Sequence, residues 1–242
     1  MPDPIFENSR LVALYDVLDG VRDDLVPYLA ILDEFGARRV VDIGCGTGTF
    51  AVQLAARGVD VTAVDPAVAS VRAAMAKPGA QRVRWVHGLV LHLAPLDADA
   101  ATMTGNVAQA ITDPEQWAAT LRASHHLLRP GGHLIVETRR PSDRGWTRWN
   151  RADTYCRTSI PGEGLVESWV DLLDVDEPLV SFRWTFRFQR DDTVLTSDST
   201  LRFRDLDEMT ADLASAGYTI ADTRDAPDRP GREDVYLAKK PS

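Results

Sequence analysis

The sequence has few cysteines, and its basic side chains are outnumbered by acidic ones. Two of the 242 residues are cysteine, and 27 Lys and Arg stand against 36 Asp and Glu, which leaves a formal net charge of −9. Two cysteines do not make a disulfide framework. Because nonspecific nucleic-acid binding depends on cations that neutralise phosphates, the charge disfavours a nucleic-acid partner.

Long apolar runs and metal-ligand spacings are also missing. No segment stays apolar long enough to span a bilayer, and residues 1–7 lack the basic and apolar regions of a signal peptide. We therefore expect a soluble cytoplasmic protein without a membrane partner. His125 and His126 are adjacent, so on a helix they point about 100° apart and cannot share one site. Since H-x-x-x-H and C-x-x-C spacings do not occur, we expect no metal.

An ordered glycine motif lies between two predicted strands. Residues 40–50 read VVDIGCGTGTF, and residues 61–65 read VTAVD. Glycines at alternating positions let the backbone approach a ligand closely, because no Cβ is in the way. The pattern predicts a strand, a glycine turn, a helix and a second strand that ends in a carboxylate, which together form a pocket for a nucleotide-type ligand.

The charges of this motif separate two ligand classes. A dinucleotide fingerprint reads G-x-G-x-x-G and seats a pyrophosphate on the helix N-terminus. Here the turn reads G-x-G-x-G, and Asp42 precedes it. An acid repels a pyrophosphate but suits S-adenosylmethionine, which carries an ammonium and a sulfonium. Asp65 would accept hydrogen bonds from ribose hydroxyls in either class, so an NAD(P)-dependent oxidoreductase stays as the weaker alternative.

Together with a second motif, these residues resemble the class I S-adenosylmethionine-dependent methyltransferases. Residues 127–136, LLRPGGHLIV, look like the helix end, Pro-Gly-Gly turn and fifth strand of that family. The strings ATMTGNVAQ at 101–109 and ETR at 137–139 resemble an actinobacterial-type group of unassigned substrate. The resemblance implies an α/β fold with a Rossmann-like, doubly wound, seven-stranded sheet whose last strand is antiparallel. It also implies S-adenosylmethionine as cofactor and S-adenosylhomocysteine as product.

The resemblance also implies residue roles. The glycine turn would contact the methionine part of the cofactor, and the acid after the second strand would hold the ribose. Cys45 would be a small residue tolerated in the turn. Asn106 and Gln109 offer donors and acceptors that orient cofactor or substrate, or merely tie down a loop. The expected cofactor-binding residues are Asp42, Gly44, Cys45, Gly46, Gly48, Asp65, Pro66, Gly88, Leu89, Val90, Thr104, Gly105, Asn106 and Gln109.

Leu89 departs from the family pattern. Many members carry Gly-Asp after the third strand, where the acid or its neighbours contact the adenine amino group, whereas this chain has Gly88-Leu89. Apolar packing and backbone groups would then hold the adenine, and cofactor binding would be weakened rather than lost. The alternative is a non-catalytic or repurposed protein of the same fold that binds cofactor poorly or not at all.

The chain is predicted to carry an insertion. Residues 1–140 and 207–242 would form the cofactor-binding domain, and residues 141–206 an inserted lid, substrate or dimerisation subdomain. Three strand-like runs, 165–175, 179–190 and 193–203, predict an antiparallel β-meander. The alternation FRWTFRF at 182–188 gives that meander one apolar face, which the parent domain or a second subunit must cover. The second case would make a homodimer through the insert.

Residues 10–35, before the first strand, have helical apolar spacing, and by the resemblance they correspond to N-terminal helices that cap the pocket. Further helices are predicted at 50–57, 67–76, 113–128 and 207–216, and further strands at 99–103, 220–223 and 235–238.

Each candidate substrate-binding residue also has a structural interpretation. Arg139 and Arg140 follow the fifth strand and would pair with a carboxylate or phosphate of the acceptor, or with acids of the protein. Tyr15 either reaches the ligand or packs in the core, and Trp146 and Trp149 either form a substrate cage or pack the insert on the domain. Methyl transfer needs little beyond alignment, so no catalytic base is assigned. The expected activity is direct transfer of the sulfonium methyl to an oxygen or nitrogen of a small molecule.

Overall fold

A computed structural model describes residues 2–242, which form two β-sheets and several helices. The strands are β1 (Arg39–Ile43), β2 (Asp60–Asp65), β3 (Val83–His87), β4 (Ala98–Met103), β5 (Leu128–Arg139), β6 (Cys156–Ile160), β7 (Gly164–Asp176), β8 (Leu179–Phe188), β9 (Val194–Arg202), β10 (Thr219–Asp225) and β11 (Glu233–Lys239). The helices are α1 (Pro4–Glu7), α2 (Ser9–Asp19), α3 (Val26–Glu34), α4 (Thr49–Ala56), α5 (Val68–Met75), α6 (Val107–Ala110), α7 (Pro114–Leu127), α8 (Arg151–Thr154) and α9 (Leu206–Ser215).

The larger sheet has seven strands in the order β10-β11-β5-β4-β1-β2-β3. Neighbouring strands from β5 to β3 run parallel, whereas β11 is antiparallel to both β5 and β10. Val40 and Val41 are fully buried on opposite faces, because helices cover both sides of the sheet. The predicted doubly wound sheet with an antiparallel last strand is confirmed.

The N-terminal segment with helical spacing forms two helices with a break between them. α2 ends at Gly20, whose φ is 63°, and a 3-10 turn over Asp23–Leu25 leads into α3. Pro27 lies in the first turn of α3, where a missing N–H is tolerated. The segment predicted to be helical is thus divided in two, since a glycine with a positive φ ends the first helix.

The second sheet has the order β6-β7-β8-β9 and is antiparallel throughout. Its last three strands confirm the predicted meander, and β6 was missed. The sequence of β6, CRTSI, leaves most of its side chains exposed at the edge of the sheet. Edge strands without an apolar face carry little signal in hydrophobic periodicity.

The N-terminal helices cover the apolar face of the second sheet. Phe186 and Phe188 are buried there against Ile5, Leu11 and Leu14 of α1 and α2. Of the two predicted ways to cover this face, the structure uses the chain itself. No helix within residues 2–242 is both long and apolar enough to cross a membrane.

Candidate cofactor site

A cleft opens at the carboxyl ends of β1 and β4, beside the turn that follows β1. In open α/β sheets this edge is where ligands bind. The cleft encloses about 480 Å³, including space open to solvent. Its lining residues are Tyr15, Arg22, Leu25, Asp42, Gly44, Cys45, Gly46, Thr47, Thr49, Phe50, Thr104, Gly105 and Val107.

The turn after β1 requires glycine at two of its positions. Gly44 and Gly48 have φ values of 71° and 76°, which other residues rarely adopt. A Cβ on Gly44 would lie 2.5 Å from Val107 Cγ2, and a Cβ on Gly48 would collide with the Trp85 ring. The absence of side chains therefore lets the turn pack against α6 and β3, and the backbone between these glycines lines the cleft.

Asp65 joins this turn to the start of α5. Its Oδ2 accepts a hydrogen bond from Gly46 N at 2.8 Å, and its Oδ1 accepts one from Ala67 N at 2.8 Å. Burial raises the pKa of this carboxyl, and the two backbone donors oppose the rise. Because each carboxylate oxygen has two lone pairs, both oxygens can still accept hydrogen bonds from a diol.

Asp42 ends β1 as a buried acid in the cleft wall. Its side chain is 2% exposed, and its Oδ1 accepts a hydrogen bond from Thr102 Oγ1 at 3.0 Å. Burial raises the pKa of Asp42 to about 7. A cationic group in the cleft would stabilise the ionised carboxylate, so this position is suited to an ammonium.

Some of the other predicted cofactor residues line the cleft, and the rest lie outside the lining and contact other parts of the structure. Cys45, Thr104 and Gly105 line the cleft, and burial raises the pKa of the Cys45 thiol, which keeps it protonated. Gly88 N donates to the carbonyl of Asp65 at 2.9 Å, and the carbonyl of Pro66 lies 3.1 Å from His87 Nε2. Leu89 is half-buried, and Val90 packs in the core with Ile43 and Val64.

Asn106 and Gln109 lie behind the cleft wall and are held by residues of β5. Asn106 Nδ2 donates to Glu137 Oε1 at 2.9 Å, and the hydroxyl of Tyr28 donates to Glu137 Oε2. The guanidinium of Arg139 donates to Gln109 Oε1 at 3.3 Å. Burial and the nearby Glu233 carboxylate raise the pKa of Glu137 to about 7.

The predicted substrate residues are not gathered at one place. Tyr15 lines the cleft, and burial raises its pKa to about 12. Arg140 is paired with Asp234 at 2.6 Å and Asp225 at 3.0 Å, which corresponds to the alternative of pairing within the protein.

The two candidate tryptophans lie away from the cleft lining. Trp146 is 2% exposed and packs on Phe203, and Trp149 packs on Phe182 and Phe203. A buried Trp146 cannot form a substrate cage, so the packing interpretation describes it.

Arg22 is a cleft residue that sequence reasoning missed. It lies in the break between α2 and α3, and its guanidinium pairs with Asp19 at 3.0 Å and Asp24 at 2.8 Å. The hydrogen bond with Asp24 raises the pKa of Arg22. The helical spacing over residues 10–35 does not show where the chain breaks, so nothing in the pattern indicates that this side chain turns toward the glycine turn.

Comparisons with known proteins agree with this geometry. Residues 40–132 match a family described as methyltransferase domain. The fold is similar to that of an S-adenosylmethionine-dependent methyltransferase from Clostridium acetobutylicum ATCC 824. The two structures align over 97% of this chain and 98% of the other, with a TM-score of 0.77 and 16% sequence identity. The chain therefore has the fold of the class I S-adenosylmethionine-dependent methyltransferases.

The chain is also similar to proteins whose names give different substrates. A ubiquinone biosynthesis O-methyltransferase of Xylella fastidiosa (strain 9a5c) is 36% identical over 128 residues, or 50% of this chain and 48% of that protein. The chain thus spans about half the length of the curated relatives it matches. The chain also resembles a Burkholderia thailandensis 1,6-didemethyltoxoflavin-N1-methyltransferase that was solved with bound 1,6-didemethyltoxoflavin and S-adenosylhomocysteine. The two structures align over 98% of this chain and 84% of the other, with a TM-score of 0.61 and 20% sequence identity. At such identity the likeness shows the fold.

Proposed function

We propose that this chain is a class I methyltransferase that binds S-adenosylmethionine in the cleft and methylates an oxygen or nitrogen of a small molecule. The observation that carries the proposal is the pairing of a glycine turn, anchored by Asp65, with the buried acid Asp42. An acid in this wall opposes a pyrophosphate and favours a ligand that carries positive charge. The relatives that methylate oxygen and nitrogen support the same class of reaction.

The residues of the cleft, together with the acid that anchors the glycine turn, fit the functional groups of this cofactor, which supplies a sulfonium methyl when bound. Asp42 would pair with the ammonium, and Asp65 would accept hydrogen bonds from the ribose hydroxyls. Arg22 would exchange one of its present carboxylate partners for the carboxylate of the methionine part. An acceptor oxygen or nitrogen held beside the bound cofactor would receive this methyl and release its proton to solvent. The protein contributes alignment.

Calorimetric titration with S-adenosylhomocysteine tests the proposal, with NAD as the matched ligand. We expect saturable one-to-one binding of S-adenosylhomocysteine and none of NAD. Binding of NAD alone would instead support an oxidoreductase, and no binding of either would support a repurposed fold. Methyl transfer from labelled cofactor to small amines and phenols then separates an enzyme from a binding protein.

Replacing Arg22 with alanine should weaken S-adenosylhomocysteine binding about tenfold, because a charge-assisted hydrogen bond contributes about 1.5–3 kcal/mol. Binding of 5′-methylthioadenosine, which lacks the amino-acid carboxylate, should not change. Both dissociation constants are measured by calorimetry. Arg57→Ala is the control, since Arg57 is half-exposed and pairs with Asp33 on the surface. Equal losses for both ligands would contradict the carboxylate assignment.

Leu89 offers a gain-of-affinity experiment. Leu89→Asp places an acceptor where the family carries its acid, and should tighten S-adenosylhomocysteine binding about fivefold through the adenine amino group. Leu91→Asp is the matched control, because Leu91 is 40% exposed in the 3-10 turn that begins directly after Leu89. If the two variants change the dissociation constant equally, the effect is general charge and not an adenine contact.

We also propose that residues 1–140 and 207–242 form the cofactor-binding domain. Residues 141–206 would form an inserted subdomain that contributes to binding of the methyl acceptor. In support, every residue that lines the cleft lies before residue 110, and the second sheet packs on α2, which carries Tyr15 into the cleft. A homodimer through this sheet and a cytoplasmic location stay predictions. Light scattering of the purified chain tests the dimer.

A further inference from the structure

Gly20 lies at the boundary between two hydrophobic cores. Before it, Leu11 and Leu14 of α2 pack in the core beneath the second sheet. After it, Leu25 packs with Phe50 in a core of the cleft domain, the larger sheet with its helices. Contacts between α2 and the turn that follows Gly20 therefore join two separate cores.

Two ion pairs hold the last turn of α2 to the cleft domain. Residues 16–19 read DVLD, so this turn carries two acids and no base. Asp16 pairs with Lys77 at 2.8 Å, and Asp19 pairs with Nη1 of Arg22 at 3.0 Å. Because the helix dipole opposes an acid at a helix C-terminus, this end of α2 depends on cations from outside the helix.

Arg22 is bound unequally by its two acids. Asp24 accepts from Nε at 2.9 Å and from Nη2 at 2.8 Å, which occupies one edge of the guanidinium. Asp19 accepts a single hydrogen bond from Nη1 at 3.0 Å. Bidentate pairs are the stronger and more rigid kind. Asp24 therefore fixes the orientation of the guanidinium, and Asp19 is the partner that is more easily exchanged.

The surroundings of Asp19 also favour its displacement. Burial raises the pKa of its carboxyl, and Arg22 opposes the rise without cancelling it, so the charge is less stable here than in water. A Cβ built on Gly20 would meet no atom of residues 2–242 within 4 Å, and Val21 is 84% exposed. The chain beside Asp19 therefore has room to move.

We propose that Asp19 competes with the carboxylate of the cofactor for Arg22, and that Asp19 leaves Arg22 and releases the last turn of α2 when the cofactor binds. Arg22 lines the cleft, and its Nη1 carries two N–H donors. Asp24 keeps the guanidinium in place during the exchange. Because α2 also carries Tyr15 into the cleft lining, its release frees one wall of the cleft. The inference rests on the proposed function.

Asp19→Asn tests the competition by calorimetry with two ligands. S-adenosylhomocysteine should bind this variant about fivefold more tightly than wild type, because a neutral amide competes less well for a guanidinium than a carboxylate does. Decarboxylated S-adenosylhomocysteine, which keeps the ammonium, should bind both proteins within about twofold. Asp24→Asn is the matched control, since it removes the same charge from the same guanidinium, and it should not tighten binding.

A double variant shows whether the effect depends on Arg22. In the Arg22→Ala background, Asp19→Asn should leave the dissociation constant of S-adenosylhomocysteine unchanged, because the group for which the two carboxylates compete is gone. If Asp19→Asn tightens binding equally with and without Arg22, the cause is general charge and the competition is refuted. The same conclusion follows if Asp24→Asn tightens binding as much as Asp19→Asn.

Hydrogen exchange measures the release of α2. Saturation of wild type with S-adenosylhomocysteine should speed exchange about threefold or more in peptides that cover residues 14–22, and the decarboxylated ligand should not. In Asp19→Asn the same peptides should exchange faster than in wild type before ligand is added. Unchanged or slower exchange of this segment with S-adenosylhomocysteine would overturn the release of α2.

The outcomes separate the two proposals. A wild-type chain that binds neither ligand contradicts the proposed function and the inference together. Normal binding of S-adenosylhomocysteine without a gain in Asp19→Asn overturns the inference alone. Because misfolding does not produce a gain in affinity, the expected result does not depend on equal stability of the variants.

Discussion

Asp65→Ala is expected to weaken binding of S-adenosylhomocysteine by about 100-fold or more. Two hydrogen bonds from ribose hydroxyls to a charged group contribute about 1.5–3 kcal/mol each, and every 1.4 kcal/mol is about tenfold in affinity. The substitution also removes the bonds that hold Gly46 and Ala67 at 2.8 Å, so the glycine turn loses its anchor. Calorimetric dissociation constants measure the effect.

Two further variants separate ribose binding from general loss of structure. Asp60→Ala removes an acid at the other end of β2, where Asp60 pairs with Arg39 on the surface, and should leave the dissociation constant unchanged. Asp65→Asn keeps one acceptor oxygen and should lie between wild type and alanine. An unchanged affinity in Asp65→Ala would remove the ribose assignment.

Binding of S-adenosylhomocysteine is also expected to strengthen about tenfold for each pH unit between pH 5 and 7, and to level off above that range. The cause is the buried carboxyl of Asp42, whose pKa lies at about 7. An ammonium pairs only with the ionised form, so below this pKa binding must displace a proton. Raising the pH through 7 removes that requirement.

Asp42→Asn should flatten this pH dependence and weaken binding at pH 8 by about tenfold, since a neutral amide replaces a charged partner. Calorimetric titrations at five pH values give the slope. Glu137→Gln is the control, because the pKa of Glu137 also lies at about 7 and its loss should leave the slope intact. If the slope survives in Asp42→Asn and disappears in Glu137→Gln, the proton linked to binding belongs to Glu137 and not to Asp42.

Local patterns in the sequence were sufficient to predict the main sheet of the molecule and the residues at the centre of the candidate cofactor site. The positions of Asp42, Gly44 and Asp65 follow from a strand, a turn and a second strand that are close along the chain. Steric requirements at a tight turn act on a few neighbouring residues, so they leave a readable signature. The seven-stranded sheet and its antiparallel last strand followed from the resemblance that those motifs carry.

Only the tertiary structure decided which distant side chains meet. Asn106 contacts Glu137 across 31 positions of sequence, and Phe188 packs on the N-terminal helices from the far end of the chain. Arg22 reaches the cleft because Gly20 ends α2, and β6 joins its sheet almost without buried side chains. Such contacts depend on the relative placement of whole elements, which hydrophobic periodicity and propensity do not encode. The residues around the glycine turn could therefore be predicted from the sequence, whereas packing decided which distant side chains line the cleft or support it.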